Sequence, residues 1–470
     1  MDSKKKMPSI ITRRKFMGYS ACSAMTTASL LNSILSLRQV NAAVGENLPA
    51  DAPYKALVCV FLFEGNDSAN MLMPRESAAH ARYVASRGVL GLPLDAIAPL
   101  NADNDTGLEL GIHGAMQGCR ELFSAGKLAM LANVGTLVGP ATLQDYQNRT
   151  AAIPEHLFSH SDQQVAWQTS ADTSNAAFNQ TGWGGRMADC LSGTQQNGAI
   201  SMLVSLNGTN FFQVGNTMLP FRMGSNGAPA YKLGQGTREY EQTRYGAFRS
   251  ILNAGSANLM EDAFADLSNK SIRDSDTIIA ALENSGDFEM IPDSGLGNQL
   301  RMVAKIVQAR EALGMKRQIF FCATGGYDTH GPQVGAHAGL LAGLSGAMKG
   351  FNDAVASINA EESVTTFTAS DFGRTYDSNG RGSDHGWGGH HLIMGGAVNG
   401  KNVYGTFPNP DITTGTNPLD TGRGRWLPTT SVDQYGATLG RWFGLSESQI
   451  PEVFPNIGNF ASTDLGFMKA

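Results

Sequence analysis

The chain has 470 residues, of which 42% are hydrophobic and 16% are charged, and its net charge is −6 at pH 7. This length suits one large domain or two, and no low-complexity tract is long enough to indicate disorder. The acidic balance excludes nucleic acid or an anionic lipid surface as a partner held by bulk charge, although it leaves room for a local anion site.

The first 42 residues resemble an export signal. A basic start leads into the twin-arginine pattern TRRKFM at 12–17, a mildly apolar run at 18–37 and small residues before a cut after Ala42. The alternative is a basic tail followed by an ordinary helix. Cleavage would remove seven basic residues and one acidic residue, leaving 28 basic and 40 acidic residues and a net charge of −12.

This leader predicts the twin-arginine export machinery as a partner and a periplasmic or secreted mature protein. No later segment approaches eighteen continuous apolar residues, so no membrane span is expected in the mature chain. Twin-arginine export suits proteins that fold or take up a cofactor before they cross the membrane.

Short apolar runs after the leader predict β-strands. Their apolar residues are nearly continuous rather than alternating, which indicates strands covered on both faces. Helical patterns at 297–313 and 334–358 lie between some of them. The order predicts an α/β domain over 43–470 with a large, mostly parallel sheet and helices on both faces. The predicted strands are at 56–63, 128–134, 202–206, 318–324, 364–368 and 391–394.

The segment 207–295 differs from the rest of the chain because it is rich in glycine, asparagine, serine and threonine. It contains few strand-like runs. We therefore predict a loop-rich insertion or cap over the edge of the sheet.

Acidic residues follow several predicted strands. Asp67 lies shortly after the first strand, Asp328 and His330 follow the run at 318–324, and Asp371 follows the run at 364–368. In open α/β sheets, ligands bind beyond the carboxyl ends of the strands, where these side chains would meet. A single aspartate after a strand more often caps a helix or closes an Asx turn, which is the alternative for each of them.

A glycine-rich stretch at 368–396 adds further candidates. It contains Asp384, His385 and His390 on or near short loops, and carboxylates with imidazoles are typical ligands of divalent metals. The alternative is a glycine-rich surface loop with incidental histidines. Arg374 in the same stretch is either a surface residue or a guanidinium fork, that is, a pair of parallel N–H donors, that binds a substrate oxyanion.

Ser159 and His160 form another polar pair. Ser159 is a candidate nucleophile whose pKa a metal could lower, or alternatively the cap of a helix that passes through 165–167. The chain lacks a Gly-x-Ser-x-Gly elbow at a strand end, a Walker-type loop and a dinucleotide-binding glycine motif after the first strand.

Several motifs together resemble the exported bacterial family catalogued as domain of unknown function 1501. Besides the twin-arginine leader they are FLFEGNDSANMLMP at 61–74, LFSHSDQQ at 157–164, GGYDTHGPQ at 325–333, SDFGRT at 370–375 and GSDHGWGGHHLIMGG at 382–396. They occur in order over nearly the whole chain. The chain departs from the family where Phe63-Glu64 replaces a frequent Arg-Gly, Ser68 a frequent glycine and Asp371 the usual glutamate.

That family is similar to the alkaline phosphatase and sulfatase superfamily, whose members bind two divalent metals at the strand ends of a large α/β sheet. The resemblance implies that Asp67 is the first metal-binding aspartate, that Ser159 is the nucleophile, with His160 beside it, and that Asp328 and His330 form the Asp…His pair. Asp371 lacks the histidine that should follow it, because Phe372 stands there. Asp384 with His385, or His390, could supply the imidazoles.

The resemblance therefore implies an exported metal-dependent hydrolase or transferase that acts on a small anionic ester of phosphate or sulfate. It would hold one or two divalent ions of zinc, calcium, magnesium or manganese. The Cys-x-Pro-x-Arg signature of formylglycine sulfatases is absent. The alternative is a catalytically silent secreted binding or assembly protein on the same fold, for which the missing histidine after Asp371 is the main argument.

Overall fold

A computed structural model describes residues 51–170, 180–195, 199–228, 237–256 and 258–469 of the chain. The predicted signal at 1–42 lies outside these residues. None of the helices within them is long and apolar enough to cross a membrane.

Twelve β-strands form two sheets in the described part of the chain. In order they are β1 (Lys55–Leu62), β2 (Leu72–Pro74), β3 (Ile97–Pro99), β4 (Leu110–His113), β5 (Leu128–Gly135), β6 (Leu203–Ser205), β7 (Phe221–Arg222), β8 (Arg317–Thr324), β9 (Val364–Ser370), β10 (Gly389–Met394), β11 (Val403–Gly405) and β12 (Thr430–Ser431). Strands β2, β4 and β3 form a small antiparallel sheet.

The α-helices of the described residues lie between and after these strands. They are α1 (Ser77–Arg87), α2 (Gln117–Ser124), α3 (Leu143–Asn148), α4 (His160–Thr169), α5 (Trp183–Cys190), α6 (Glu239–Leu252), α7 (Leu259–Leu282), α8 (Gly295–Gln308), α9 (Gln333–Ser357), α10 (Val432–Phe443) and α11 (Ile450–Val453).

The other nine strands form one sheet in the order β11-β5-β10-β9-β1-β8-β6-β7, with β12 beside β5. All pairings are parallel except those of β10, which runs antiparallel to both β5 and β9. Eight strands therefore end at one edge of the sheet, and β10 begins there. This mostly parallel sheet confirms the predicted α/β fold class.

Both faces of the large sheet are covered, which explains the continuous apolar runs. In β1, Val58 and Val60 belong to a core cluster that also contains apolar residues of α8 and α9. Cys59 and Phe61 point to the opposite face, where the core includes residues of α5 and α10. Every one of these four β1 side chains is buried.

The segment 207–295, predicted as a loop-rich insertion or cap, contains two helices as well as loops, and its role as an insertion or cap stays a prediction. The segment contributes β7 to the edge of the sheet and forms α6 and the 24-residue α7. Both helices are largely exposed, so their polar residues are those of a solvated helix surface rather than of loops. Asn258 begins α7 by accepting a hydrogen bond from the N–H of Met260.

Candidate functional site

Four side chains meet at the edge of the sheet where the parallel strands end. We call His160, Asp328, His330 and His385 the imidazole–aspartate cluster. Oδ1 of Asp328 lies 2.9 Å from Nε2 of His330, 3.3 Å from Nε2 of His385 and 3.8 Å from Nε2 of His160. The Nε2 atoms of His330 and His385 are 3.1 Å apart. His160, Asp328 and His385 each offer an atom within 4.8 Å of the others and could hold a metal ion.

The elements of the fold explain why these residues meet. His160 is the first residue of α4, Asp328 and His330 lie between β8 and α9, and His385 lies between β9 and β10. Since β8 and β9 flank β1 in parallel, the loops that follow them open on the same side of the sheet. The cluster therefore combines three segments that are distant in sequence.

In each of the three histidines of the cluster, the ring nitrogen Nδ1, which points away from Asp328, donates a hydrogen bond to an oxygen acceptor. The three contacts are Nδ1 of His160 to Oδ2 of Asp371 at 2.8 Å, Nδ1 of His330 to Oδ1 of Asp384 at 3.0 Å, and Nδ1 of His385 to the carbonyl oxygen of Phe158 at 2.8 Å. Carbonyl and carboxylate oxygens accept hydrogen bonds, so each Nδ1 carries the proton that it donates. In the neutral rings, all three Nε2 lone pairs therefore face the cluster.

Asp371, predicted as a metal ligand, orients His160 instead. Its buried carboxylate accepts hydrogen bonds from the His160 ring, from Nε2 of Gln164 at 2.9 Å and from the N–H of Glu64 at 3.1 Å. Burial raises the pKa of Asp371, although these hydrogen bonds oppose the shift. Because both carboxylate oxygens accept these hydrogen bonds, Asp371 has the geometry of a residue that orients a metal ligand rather than of a ligand itself.

Asp384, also predicted as a ligand, holds His330. It accepts hydrogen bonds from that ring, from Nδ2 of Asn379 at 3.1 Å and from Nη1 of Arg423 at 2.6 Å. Burial by itself would raise the pKa of Asp384, but the hydrogen bonds from Arg423, Asn379 and His330 outweigh it and lower the pKa to about 2.

Asp67, the first predicted ligand, lies in a buried ion pair with Arg87 and does not belong to the cluster. Its Oδ2 also accepts a hydrogen bond from Gln333. Gln333 in turn accepts from the hydroxyl of Ser383 at 2.7 Å, and Ser383 accepts from Nε of Arg374 at 3.0 Å. Asp67 is thus connected to the site only through other side chains.

Arg374 was predicted as a fork for a substrate oxyanion, but its side chain is fully buried. Nη1 donates to Oδ1 of Asp328 at 2.8 Å and to the carbonyl oxygen of Glu64 at 3.3 Å, and Nη2 donates to the carbonyl oxygen of Ser383. Its guanidinium also lowers the pKa of Asp328, against the opposing effect of burial. Arg374 therefore positions Asp328 and is not accessible to a substrate.

His390, the last predicted ligand, lies outside the cluster. Its Nδ1 accepts a hydrogen bond from the N–H of Asn133 at 3.0 Å, and its ring stacks on Phe407 at 5.3 Å. Burial lowers the pKa of His390 to about 4, which suits a neutral ring in the core. Of the two sources that the resemblance implies for the missing imidazole, His385 is the one that lies in the cluster.

Ser159 directly precedes α4 and its hydroxyl is engaged locally. It lies 2.5 Å from Oδ2 of Asp162 and 3.1 Å from the hydroxyl of Ser161. Ser159 is adjacent in sequence to His160, but these contacts do not test whether it is a nucleophile, and that role stays a prediction. His160 itself was predicted to be catalytic, and the structure places it among the potential ligands.

Phe372, which stands where the resemblance expects a histidine, packs against the cluster. Its ring centroid is 4.9 Å from that of His160 and 4.7 Å from that of His385. A side chain at Gly65, where φ is +81°, would collide with the same ring. Phe372 therefore fixes the orientation of two imidazoles without offering a ligand atom.

Sequence reasoning missed Glu64 as a residue of the site. Its φ is +81°, its N–H binds Asp371, its carbonyl accepts from Arg374 and its carboxylate accepts from the N–H of Gly326 at 2.9 Å. It thus ties together the loops after β1, β8 and β9. The family that the chain resembles often has glycine at this position, which indicates a positive φ. Nothing in the sequence reveals the contacts of Glu64.

Gln164, Arg423 and Arg425 were also missed. Gln164 lies one helical turn after His160, so the pair shares a face of α4 and reaches Asp371 together. Arg423 and Arg425 come from the loop after β11, and only tertiary structure brings Arg423 to Asp384 and Arg425 to the carbonyl oxygen of His385.

The fold and this site define an α/β protein with a candidate metal-binding group at the carboxyl edge of its sheet. The chain belongs to the family described as protein of unknown function (DUF1501), whose model matches residues 54–454. A comparison with curated proteins gives no match.

Solved structures show only a distant likeness. Ps i-CgsB in complex with k-i-k-neocarrahexaose is 11% identical, over 86% of this chain and 77% of that one, with a TM-score of 0.34. The integral membrane protein lipooligosaccharide phosphoethanolamine transferase A from Neisseria meningitidis is 9% identical, over 98% and 66%, with a TM-score of 0.35. Its soluble domain is 9% identical, over 92% and 98%, with a TM-score of 0.33. At these scores the likeness carries no argument about activity.

Proposed function

We propose that the protein is an exported metal-dependent hydrolase or transferase that acts on a phosphate or sulfate ester. The observation that carries this proposal is the cluster itself. Three imidazoles, each anchored through Nδ1, direct Nε2 toward one carboxylate oxygen. The resemblance to the alkaline phosphatase superfamily favours the ester class.

The donor set fits a bound cation. Two Nε2 lone pairs 3.1 Å apart, facing a carboxylate, repel one another unless a proton or a metal ion lies between them. Three imidazoles with a carboxylate match zinc better than calcium, magnesium or manganese, which prefer oxygen ligands. When bound, such an ion would polarise an ester oxygen and stabilise negative charge there.

Ser159 is the nucleophile in this proposal, and Asp162 accepts its proton. The serine oxygen forms a bond to phosphorus or sulfur while the ester bond to the leaving oxygen breaks, and the proton passes to the leaving alcohol. Water then releases the acid in a hydrolase, or an acceptor alcohol takes the group in a transferase. The position of Ser159 directly before His160, the first residue of α4, supports this role.

The cellular address is part of the same proposal. The twin-arginine pattern in residues 1–42 would send the chain through the twin-arginine machinery, so the mature protein would act in the periplasm or be secreted.

A second candidate is a catalytically silent binding or assembly protein. One observation favours it, because the Ser159 hydroxyl contacts Asp162 and Ser161 rather than a histidine of the cluster. Such a protein would keep the metal as a structural element.

The test is metal analysis of the purified mature protein with a panel of phosphate and sulfate esters. His330→Ala and Asp384→Ala should lower both metal content and turnover. His80→Ala removes a histidine that binds the carbonyl of Leu92, apart from the cluster, and should lower neither. Bound metal without turnover would favour the second candidate. Absence of metal from the parent protein, with no turnover, would contradict both.

A further inference from the structure

We propose that Arg425 binds the anionic oxygens of the substrate, an inference that rests on the proposed function. It deepens that function by defining the substrate as an ester with at least two free oxygens on a tetrahedral phosphoryl or sulfuryl centre. Arg425 takes over the role that sequence reasoning gave to Arg374.

Arg425 is held against the framework of the cluster from two sides. Its Nε donates to the carbonyl oxygen of His385 at 3.0 Å, and its guanidinium carbon lies 4.5 Å from the ring centroid of Phe158. The carbonyl of Phe158 accepts the Nδ1 proton of His385, so the arginine rests on two residues that already bind each other. Stacking and the Nε contact fix the plane of the guanidinium.

The loop that carries Arg425 is itself fixed. Oδ1 of Asp420 accepts hydrogen bonds from the N–H groups of Gly422 at 2.7 Å and Gly424 at 2.6 Å. The next residue, Trp426, is buried and forms an isolated β-bridge with Asp420. Arg425 therefore projects from an anchored turn.

The neighbouring arginines are already engaged. Arg374 is buried and binds Asp328, whereas Arg423 binds Asp384 at 2.6 Å and Asp377 at 3.5 Å. Within the described residues, the terminal nitrogens Nη1 and Nη2 of Arg425 have no hydrogen-bond partner, and the side chain is partly exposed. Arg425 is thus the arginine at this site that can offer a free, oriented fork.

A guanidinium fork matches two oxygens of a phosphoryl or sulfuryl group through parallel hydrogen bonds. Because the packing on Phe158 already fixes the side chain, little rotamer freedom is lost when the anion binds. A neutral ester with a single free oxygen would not use the fork. Phosphate and sulfate share this chemistry, so both anions are needed as probes.

The experiment measures binding of inorganic phosphate and inorganic sulfate to the zinc-loaded mature protein by calorimetry. Arg425→Gln should weaken binding of at least one anion about ten- to a hundredfold, as expected from lost charged hydrogen bonds, and Arg425→Lys should weaken it less. Zinc stoichiometry and melting temperature should stay at the parent values. The matched control is Arg310→Gln, which removes an arginine that contacts the ring of Tyr54 at 5.8 Å, and it should change nothing.

Two outcomes would overturn the inference. If the parent protein binds zinc and an anion but Arg425→Gln binds that anion equally well, Arg425 is not the anion group and the proposed function still stands. If the zinc-loaded parent binds neither anion, the ester activity itself is contradicted and Arg425 loses its ligand. On any ester that the parent turns over, the expected signature is a rise in KM that exceeds the fall in kcat.

Discussion

His330 lies between two aspartates that contact different nitrogens of its ring. Asp328 faces Nε2 at 2.9 Å and Asp384 faces Nδ1 at 3.0 Å. Arg423 neutralises Asp384, whereas Arg374 contacts Asp328 from the buried side. The geometry therefore assigns Asp384 to holding the ring and Asp328 to the interior of the cluster.

The role of Asp384 predicts a dependence of stability on pH. Its pKa is lowered from 3.8 to about 2, so its charged form stabilises the folded protein above about pH 4. That contribution is lost as the pH falls through about 2. In metal-free protein, the difference in unfolding free energy between the parent and Asp384→Asn should be constant above pH 4 and shrink below it. Chemical denaturation at several pH values measures this, and a difference that grows on acidification would contradict it.

Substitutions of Glu64 should separate the stability of the fold from its affinity for a metal ion. Glu64→Gly loses the hydrogen bond to Gly326 but relieves a positive φ, and each effect is about 1 kcal/mol, so its stability should stay near that of the parent. Glu64→Ala keeps the strain and should be less stable than Glu64→Gly by about 1 kcal/mol.

Both Glu64 variants lack the carboxylate that holds the loop before Asp328. They should therefore weaken zinc binding to a similar extent, despite their different stabilities. Denaturant titration and competition with a zinc chelator are the two measurements. Parent-like zinc affinity in both variants would show that Glu64 serves only the fold.

Single residues also show where sequence reasoning ends. The strand-end position of Asp371 was predictable because parallel strands end at one edge. Its contact with His160 was not, since the two lie 211 positions apart and an aspartate in either role has the same sequence context. The burial of Arg374, which prevents it from meeting a substrate oxyanion as predicted, likewise depends on tertiary packing that its sequence context does not reveal.

At the scale of elements, the buried strands were the most predictable part of the molecule. The run at 128–134 matches β5, and the run at 318–324 matches β8. Continuous apolarity arises because both faces of the sheet are covered. The reversed direction of β10 was not predictable, because an apolar strand has the same composition in either direction. That reversal places His390 at the carboxyl edge yet inside the core.

Helix α9 offers a test of packing within one element. A Cβ at Gly350 would overlap the carbonyl oxygen of Met290 and lie 2.8 Å from Cα of Ile291. Gly350→Ala should therefore lower the unfolding free energy by about 1–3 kcal/mol. Gly343, in the same helix, has nothing within 4 Å of its Cβ position, so Gly343→Ala should raise stability by about 0.5–1 kcal/mol. Equal effects in thermal melts would contradict this packing.

At the scale of the whole molecule, the cluster joins α4 to the loops that follow β8 and β9. A metal ion bound only by the folded chain must stabilise it, by about 2.7 kcal/mol at a free concentration one hundred times Kd. Zinc should therefore raise the melting temperature of the parent and of His80→Ala. His385→Ala should lose most of that rise. An equal rise in all three proteins would place the metal elsewhere.

X-ray absorption spectroscopy of the protein loaded with one equivalent of zinc tests most directly whether the imidazole–aspartate cluster binds a metal ion. We expect three imidazole nitrogens and one carboxylate oxygen at about 2.0–2.2 Å, with one imidazole fewer in His385→Ala. A first shell without imidazoles, or a shell unchanged by His385→Ala, would contradict the claim that His160, Asp328, His330 and His385 form a metal site.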